Sequence, residues 1–253
     1  MDRPGGSVHI GYYISELPEG GEIDRCVHAY EKAVYVLLGS LDFERDGQQF
    51  CLGADGYVLI PPGMPHAIRN STAKIARYVE ICAPQPKPIT GWRDTFFVDP
   101  LPWRPGSLAP LNPGDPRNRM VGKSDRTMPP GAFMHADLQG FSIKRFMDRE
   151  FGSTQLTMFS VEFADGGLCN HHDHPFEEAY LILSGDVDVE FDGIKYTLQT
   201  GDFAWTGVGS RHAFFPVSGR PVRWLEIQAP QPPGQFGMRW HGRWERFGAD
   251  IDR

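Results

Sequence analysis

Four residues in the C-terminal half of the chain have the types and spacing of a metal site. His172 and His174 are separated by one residue, Glu178 follows shortly after, and His212 lies far downstream. Alternate residues of a β-strand share one face at a spacing of roughly 6.6 Å, so two imidazoles on one strand can reach one ion. Three nitrogens and one carboxylate leave open positions on an octahedral ion, which suits a catalytic site better than a closed structural zinc site. The sequence therefore predicts one divalent transition metal per chain, manganese or iron first, with nickel, cobalt or zinc as alternatives.

The same alternation excludes three neighbouring residues as ligands. His171, Asp173 and Glu177 have the opposite parity in the sequence. Side chains of opposite parity point to the other face of a strand. We therefore expect all three to point away from the ion.

Five further residues are predicted to contact the substrate. Tyr180 lies two residues after Glu178, so on a strand it would share the face of that candidate ligand, and it is the candidate acid, base or orienting group. The alternative is a core tyrosine whose hydroxyl is hydrogen-bonded. Arg211 precedes the last histidine and is a candidate clamp for a substrate carboxylate, with a surface turn arginine as the alternative. Ile182, Phe203 and Trp205 are candidate pocket residues.

The elements that position these residues occur twice, because the chain repeats itself at an offset of 146 residues. The segment 80–86 reads Glu-Ile-Cys-Ala-Pro-Gln-Pro, and the segment 226–232 differs from it at one position. The same offset, without a gap, places Gly39 on Gly185 and His66 on His212. So long an ungapped match indicates a tandem duplication and therefore two similar domains.

The first repeat keeps only part of the metal set. Cys26 and Lys32 stand where the second repeat has its first histidine and its glutamate, while His28 and His66 are kept. An ammonium group beside the site would repel a divalent cation, so we expect the first repeat to have lost its metal. A Cys26 thiolate with two histidines is one alternative. Binding of a carboxylate by Lys32 and His66 is another.

Short strands separated by turns dominate both repeats. Residues 186–191 alternate polar and apolar side chains, and Asp192-Gly193 is typical of a two-residue hairpin turn of the primed type. Apolar runs at 179–183, 57–60 and 203–206 predict further strands. Neither repeat contains a comparable stretch with helical periodicity. The fold class is therefore predicted to be all-β.

The spacing of the glycines and ligands resembles the two sequence motifs of the cupin superfamily. The matching residues are Gly166, His172, His174, Glu178 and Gly185 in the first motif, and Gly201, Gly209 and His212 in the second. Gly207 and Pro216 replace a proline and an asparagine that are usual in the family, and neither is a ligand position. The first repeat keeps the second motif at Pro61, Gly63, His66 and Asn70. The resemblance implies two tandem cupin barrels, which are double-stranded β-helices or jelly rolls.

The predicted domains are residues 1–88, an N-terminal barrel with a degenerate metal site, and residues 146–253, a C-terminal barrel with the metal site and an aromatic tail. Residues 89–145 form a long connection rich in proline and glycine. Its aromatic residues Trp92, Phe96, Phe97 and Trp103 are too many for a disordered linker and predict packing along the barrels. The tail, with Trp240 and Trp244, is expected to close a barrel end or to support a subunit contact.

The overall design is also similar to that of the (S)-ureidoglycine aminohydrolases, which have two cupin domains and hold manganese in the second. That family has Glu, His, His and Gln at the positions of His172, His174, Glu178 and His212. The ligand set here instead resembles that of the dioxygenases and oxalate-type enzymes of the superfamily. A dioxygenase acting on a small oxygenated or acidic molecule is therefore expected first. A manganese-dependent hydrolase or decarboxylase and a non-catalytic binding module are the alternatives.

Composition excludes two classes of partner. The formal net charge is −7, whereas a nucleic-acid surface needs a basic face. No apolar run approaches the length of a membrane span, and residues 1–10 do not resemble a secretory signal, so we expect a cytoplasmic protein. The four cysteines, Cys26, Cys51, Cys82 and Cys169, lack close-pair spacing and are predicted to be buried free thiols. A small-molecule substrate and a homodimer or higher homo-oligomer complete the expectations.

Overall fold

The structure is a computed structural model. It describes residues 1, 5–87, 94–104, 112, 115, 118, 120–125, 128–129, 132–217, 220–235 and 237–241. The chain forms two compact units. The first unit comprises Met1–Thr127 with Phe146–Thr157, and the second comprises Met128–Arg145 with Met158–Arg253.

The first unit consists of two antiparallel five-stranded sheets. Their strand orders are β1-β8-β3-β6-β10 and β5-β4-β7-β2-β9. The strands are β1 (Gly11–Leu17), β2 (Glu22–His28), β3 (Glu31–Leu38), β4 (Ser40–Arg45), β5 (Gln48–Gly53), β6 (Gly56–Ile60), β7 (His66–Arg69), β8 (Ala76–Ala83), β9 (Thr95–Phe97) and β10 (Val121–Lys123).

The second unit contains a ten-stranded sheet. Seven strands follow the order β16-β15-β18-β13-β19-β14-β17; β12 and β20 pair with β13, and β11 pairs with β12. The strands are β11 (Ala132–His135), β12 (Leu138–Met147), β13 (Thr157–Asp173), β14 (Glu177–Ser184), β15 (Asp186–Phe191), β16 (Ile194–Gln199), β17 (Phe203–Thr206), β18 (His212–Pro216), β19 (Val222–Ala229) and β20 (Arg239–Trp240). A short 3-10 helix, Arg149–Phe151, follows β12 and belongs to the first unit. The all-β prediction is confirmed.

The predicted hairpin turn is present in both units. Asp192 and Gly193 have φ values of 48° and 86°, and their counterparts Asp46 and Gly47 have 49° and 80°. Two successive residues with positive φ are the signature of a type I′ turn, whose twist matches that of the strands it joins. These turns connect β15 to β16 and β4 to β5, and they fix the register of both hairpins.

Each unit has its own apolar core. The first is built around Val34, Leu41, Phe43, Val58 and Ile68, and the second around Phe163, Tyr180, Val189, Phe214 and Trp224. Alternating strand residues supply these side chains, as the pleat requires.

All four cysteines are free, as predicted. Burial is confirmed for Cys26, Cys82 and Cys169, whereas the expectation for Cys51 is wrong, because Cys51 is exposed. On β5 the neighbours Phe50 and Leu52 point into the core, so the residue between them must point outwards.

Residues 146–157 group with the first unit, although the sequence analysis places residue 146 at the start of the C-terminal domain. Phe146 stacks on Tyr57 with ring centroids 4.9 Å apart. Glu31 accepts hydrogen bonds from the backbone N–H groups of residues 154, 155 and 156. The domain limits drawn from the sequence stay a prediction.

The connection between the repeats lies partly outside the described residues, as do Trp92 and Trp244. Within the described part, Phe96 and Phe97 belong to β9, and Trp103 Nε1 donates to Glu22 at 2.8 Å. Trp240 belongs to β20, which pairs with the end of β13. Among the residues that the structure describes, no helix has the length and apolar character of a membrane span.

Candidate metal centre

Three buried histidines meet inside the second unit. His172 lies near the end of β13, His174 directly follows that strand, and His212 begins β18. One ligand nitrogen from each lies within 4.8 Å of the other two. His172 and His212 are direct cross-strand partners, with ring centroids 4.2 Å apart.

A β-bulge produces this convergence. Between Cys169 and His172, β13 has one residue more than the facing stretch of β18, and the register shifts. A bulge of this kind re-aims the side chains that follow it and is common beside functional sites. The first unit has the same shift between Ile23 and Cys26.

The backbone fixes the orientation of all three rings. The Nδ1 atoms lie 2.7, 2.6 and 2.9 Å from the carbonyl oxygens of Asn170, Gly237 and Ser210, respectively. A carbonyl oxygen only accepts, so each Nδ1 donates its proton, which leaves Nε2 as the nitrogen that can offer a lone pair to an ion. Burial, with repulsion from the neighbouring histidines, lowers the pKa of His172 well below its usual range. The three Nε2 atoms therefore offer lone pairs to a common centre.

The carboxylate of Glu178 completes the cluster. Its Oε2 lies 3.0 Å from His212 Nε2, and its Oε1 lies 3.4 Å from His174 Nε2. Within the described part of the chain, the buried Nε2 of His212 has no hydrogen-bond partner. A ring nitrogen and a carboxylate oxygen at this distance must share a proton or a cation, because two lone pairs would repel each other. The donor set therefore fits a divalent metal ion, as the sequence predicts.

A buried hydrogen-bond network holds Glu178 in place. Tyr180 Oη donates to Oε2 at 2.6 Å and lies 3.0 Å from Thr206 Oγ1. Gln228 Nε2 donates to Oε1 at 2.8 Å and to Glu226 at 3.1 Å. Burial raises the pKa of Glu226 well above its usual range. Contacts of this kind orient a ligand carboxylate and tune its basicity.

The ligands form the polar end of a cavity of about 90 Å³. The rest of its wall is almost entirely apolar and aromatic. The lining residues are Leu138, Phe141, Ile143, Phe159, Val161, Phe163, Cys169, His172, His174, Glu178, Tyr180, His212, Phe214, Trp224, Glu226, Gln228 and Met238.

The structure brings only one of the five predicted substrate residues to this cavity. Tyr180 lines it, with its hydroxyl on the ligand carboxylate. Ile182 is buried deeper in the barrel core. Arg211 is exposed at a turn, where its backbone N–H donates to Asp192. These two side chains are therefore not among those that line the cavity.

Register explains why Phe203 and Trp205 also lie outside the lining. On β17, Thr206 is paired with Glu178, whereas Trp205 and Phe203 are paired with Ala179 and Leu181. Paired residues share a face of the sheet, so Trp205 and Phe203 occupy the face opposite to that of the ligand. Their neighbour Thr206 faces the site instead.

The three residues excluded by parity make contacts of their own. His171 Nε2 lies 2.9 Å from Glu190 Oε1. Asp173 forms ion pairs with Arg239 and with His241, the latter at 2.6 Å. Glu177 is buried at the start of β14.

Sequence reasoning missed the two residues of β19 that support Glu178. Gln228 is the direct cross-strand partner of Glu178, and Glu226 lies two residues before it. A signal was present, because the two repeated segments differ only at this position, with Cys82 in the first and Gln228 in the second. Parity along one strand cannot reveal such a partner; only the pairing of strands can.

The equivalent place in the first unit has different chemistry. Lys32 Nζ lies 3.3 Å from Glu80 Oε2. Cys26, His28 and His66 form a second buried group with ligand atoms within 4.8 Å of one another. Burial lowers the pKa of His28 to about 2 and that of His66 to about 3, so both rings are neutral.

Comparisons with known proteins agree with this architecture. A family profile described as the cupin domain matches residues 13–82 and 159–228, once in each repeat. The polyketide synthase CurC of Streptomyces cyaneus is 41% identical over 78 residues, which cover 30% of this chain and 51% of that protein. The matched region is thus about half the length of this relative.

Several solved structures share the fold. The salicylate 1,2-dioxygenase of Pseudaminobacter salicylatoxidans matches with a TM-score of 0.72 at 12% identity, over 89% of this chain and 73% of that chain. An oxalate decarboxylase of Bacillus subtilis matches with a TM-score of 0.65 at 17% identity, over 98% of this chain and 76% of that chain. The oxalate decarboxylase of Lactobacillus farciminis in complex with formate matches with a TM-score of 0.67 at 15% identity, over 98% of this chain and 84% of that chain. At these identities the similarity is one of fold.

Proposed function

The chain belongs to the cupin domain family, with one domain in each repeat, and on that premise we propose that it is a metal-dependent enzyme. Its second domain binds one divalent ion through His172, His174, Glu178 and His212. The reaction is the dioxygenation of a small oxygenated molecule with a largely apolar body. The ion is iron(II), with manganese as the next candidate.

One observation carries this proposal: three Nε2 lone pairs and a carboxylate converge at the end of a cavity with apolar walls. Three imidazoles and one carboxylate occupy four positions of an octahedral ion and leave two for exogenous ligands. When bound, iron(II) supplies both Lewis acidity and redox chemistry at those positions. The aromatic walls exclude water from them.

The residues around the ligands have distinct roles in this proposal. Gln228 and Tyr180 each donate to one oxygen of Glu178, so they hold the carboxylate towards the histidines. Tyr180 is therefore proposed to orient the site, and Thr206 fixes the direction of its hydroxyl. Gly237 positions His174 through its carbonyl oxygen.

The cavity wall also suggests the substrate class. Among the described lining residues none is a lysine or an arginine, so the metal itself must balance an acidic group of the substrate. Phe141, Phe159, Phe163 and Phe214 favour a flat, ring-containing body over a small dicarboxylate. A polyketide synthase and a salicylate dioxygenase among the similar proteins are consistent with oxygenated ring compounds.

A decarboxylase or hydrolase is the second candidate, and Glu226 is the observation that favours it. Its carboxyl group is a second acidic group on the cavity wall, linked to Glu178 through Gln228. A positioned carboxyl group can donate a proton to a carbon or nitrogen atom of a substrate. Such a reaction needs no dioxygen, which makes the two candidates separable.

The test is anaerobic purification and metal analysis, followed by oxygen uptake on a panel of phenols and aromatic hydroxy acids. The dioxygenase proposal predicts iron and substrate-dependent oxygen consumption, both of which are lost in the His174→Ala variant. Turnover without oxygen uptake, with release of carbon dioxide or ammonia, would favour the second candidate. Tight binding of panel members without any turnover would indicate a binding module.

A further inference from the structure

The first unit contains a second set of metal-binding side chains, Cys26, His28 and His66. Cys26 Sγ lies 3.8 Å from His28 Nε2 and 3.9 Å from His66 Nε2. All three residues are buried. The cluster therefore offers one sulfur and two nitrogens around a common centre.

Neighbouring groups orient both rings towards the sulfur. His66 Nδ1 lies 3.1 Å from the carbonyl oxygen of Met64, so Nδ1 carries the proton and Nε2 the lone pair. His28 Nδ1 lies 2.9 Å from Thr95 Oγ1, and its ring stacks on Tyr30 at 4.5 Å. Contacts of this kind set the tautomer and ring direction of metal-binding histidines.

The backbone places this cluster as it places the ligands of the second unit. Cys26 is the cross-strand partner of His66 after a β-bulge, just as His172 is the partner of His212. The geometry of the position is therefore the same in both units. Only the ligand type differs, since a thiol replaces an imidazole.

An ion pair weakens the electrostatic objection to a cation here. From the sequence alone, Lys32 is expected to repel a metal. In the structure, Lys32 Nζ lies 3.3 Å from Glu80 Oε2, and both side chains are largely buried. Glu80 compensates the ammonium charge at short range. A cation that displaces the proton of the Cys26 thiol would gain a thiolate with a compensating negative charge.

The cluster opens onto a cavity of about 310 Å³. The cavity has room for an exogenous ligand beside the ion. Its lining residues are Tyr13, Ile23, Cys26, His28, Tyr30, Lys32, Glu80, Cys82, Pro86, Thr95 and Phe97.

We propose that Cys26, His28 and His66 form a second metal site, selective for zinc, whose fourth position faces this cavity. A thiolate is a soft ligand that favours zinc over manganese. Three protein ligands with an open fourth position are typical of catalytic rather than structural zinc sites. The chain would then carry two ions of different preference instead of the single ion expected from the sequence. This inference does not depend on the reaction proposed for the second unit.

Cobalt(II) is the probe for this site, because cobalt thiolate complexes absorb in the near ultraviolet through sulfur-to-metal charge transfer. Sites with only nitrogen and oxygen ligands lack this band. We expect the metal-free full chain to bind two equivalents of cobalt and to develop the band. Cys26→Ser should lose the band and keep the equivalent bound in the second unit, and a circular dichroism spectrum and thermal unfolding curve equal to those of the wild type would show that the first unit is still folded. His66→Ala should lower the affinity of the first unit for cobalt and reduce the intensity of the band.

Matched variants locate the sulfur. Cys82→Ser changes a thiol of the same cavity, and Cys169→Ser changes a thiol 3.5 Å from His172; both should keep the band. His174→Ala should keep the band and lose the other equivalent. The proposal is overturned if the band survives Cys26→Ser or disappears in Cys169→Ser. It is also overturned if the wild-type chain binds one equivalent without a band, which would identify the cluster as a hydrogen-bonded trio.

Discussion

The two units place different side chains on the same backbone positions. In the second unit, Glu178 faces Gln228 across the β14–β19 pair and hydrogen-bonds to it. In the first unit, the equivalent pair on β3 and β8 is Lys32 and Cys82. Both units have a glutamate two residues before this partner, Glu226 on β19 and Glu80 on β8. In the second unit the amide of Gln228 thus supports the carboxylate of Glu178, whereas in the first unit the carboxylate of Glu80 pairs with the ammonium group of Lys32.

This difference teaches which residues act together. Replacing the glutamate by lysine while keeping Glu80 turns a like-charge neighbour into a counter-ion, so the buried charge stays compensated. Two histidines and the bulge are retained, and the cavity is about 310 Å³ instead of about 90 Å³. The barrel frame therefore tolerates a complete change of site chemistry at three positions.

The largest effect is expected from His174→Ala, which removes one of the proposed ligands of the second unit. The second-unit metal should be lost, and turnover should fall by more than about 100-fold, because a bound ion contributes several kcal/mol to transition-state stabilisation. Metal analysis and steady-state kinetics check both. The control is His171→Ala, since His171 neighbours a ligand in sequence but faces Glu190. Unchanged metal content in His174→Ala would contradict the assignment.

A swap in the first unit sharpens the comparison. Cys26→His, Lys32→Glu and Cys82→Gln, made together, give the first unit the four donors and the amide of the second. We expect manganese binding to rise by about one equivalent, because the two frames have the same register. Manganese titration followed by electron paramagnetic resonance measures the gain. No gain would mean that other residues of the second unit are required.

Gln228→Cys makes the reverse change at one position. Glu178 loses the donor to Oε1 and keeps the one from Tyr180. Metal affinity should fall by about 10- to 100-fold, as for other residues that orient a ligand. Competition with a chelator measures the affinity, and Gln228→Asn is a conservative comparison. Equal affinity in wild type and Gln228→Cys would show that the amide has no such role.

Tyr180→Phe should have a smaller effect on the same carboxylate. The variant keeps the ring in the core and removes the 2.6 Å hydrogen bond to Glu178 together with the 3.0 Å contact with Thr206 Oγ1. We expect metal affinity or kcat to fall by about 10-fold, because Gln228 still holds the carboxylate and the lost hydrogen bond contributes about 1.5 kcal/mol, the lower end for a bond to a charged group. A loss of several orders of magnitude in kcat with metal retained would instead indicate direct proton transfer by the hydroxyl.

The smallest effect is expected from Arg211→Ala. The side chain is exposed, and the hydrogen bonds between Arg211 and Asp192 use the backbone N–H and carbonyl oxygen of Arg211. The change in kcat/KM should stay below about 2-fold, as for surface positions in general. A rise in KM for acidic substrates alone would restore the sequence-based prediction of a carboxylate clamp.

The resemblance to the cupin motifs selects His172, His174, Glu178 and His212 as the predicted ligands, because the motifs fix the offset of each from a glycine. Tyr180 followed from parity along one strand. Thr206, Gln228 and Glu226 could not be selected in this way, since they approach Glu178 from β17 and β19. The sequence alone also leaves open which face of β17 carries Phe203 and Trp205, because only the pairing with β14 relates the faces of the two strands.

The sequence by itself determined the all-β class, the duplication, the hairpin turns and the identity of the potential metal donors. These features depend on local periodicity, on turn residues and on an internal offset, which are all readable along the chain. The tertiary structure decided which side chains share a cavity. It paired Lys32 with Glu80 and brought Cys26 into contact with His28 and His66. Whether a buried charge repels a cation depends on what lies within a few ångströms of it, and only the packed strands set those distances.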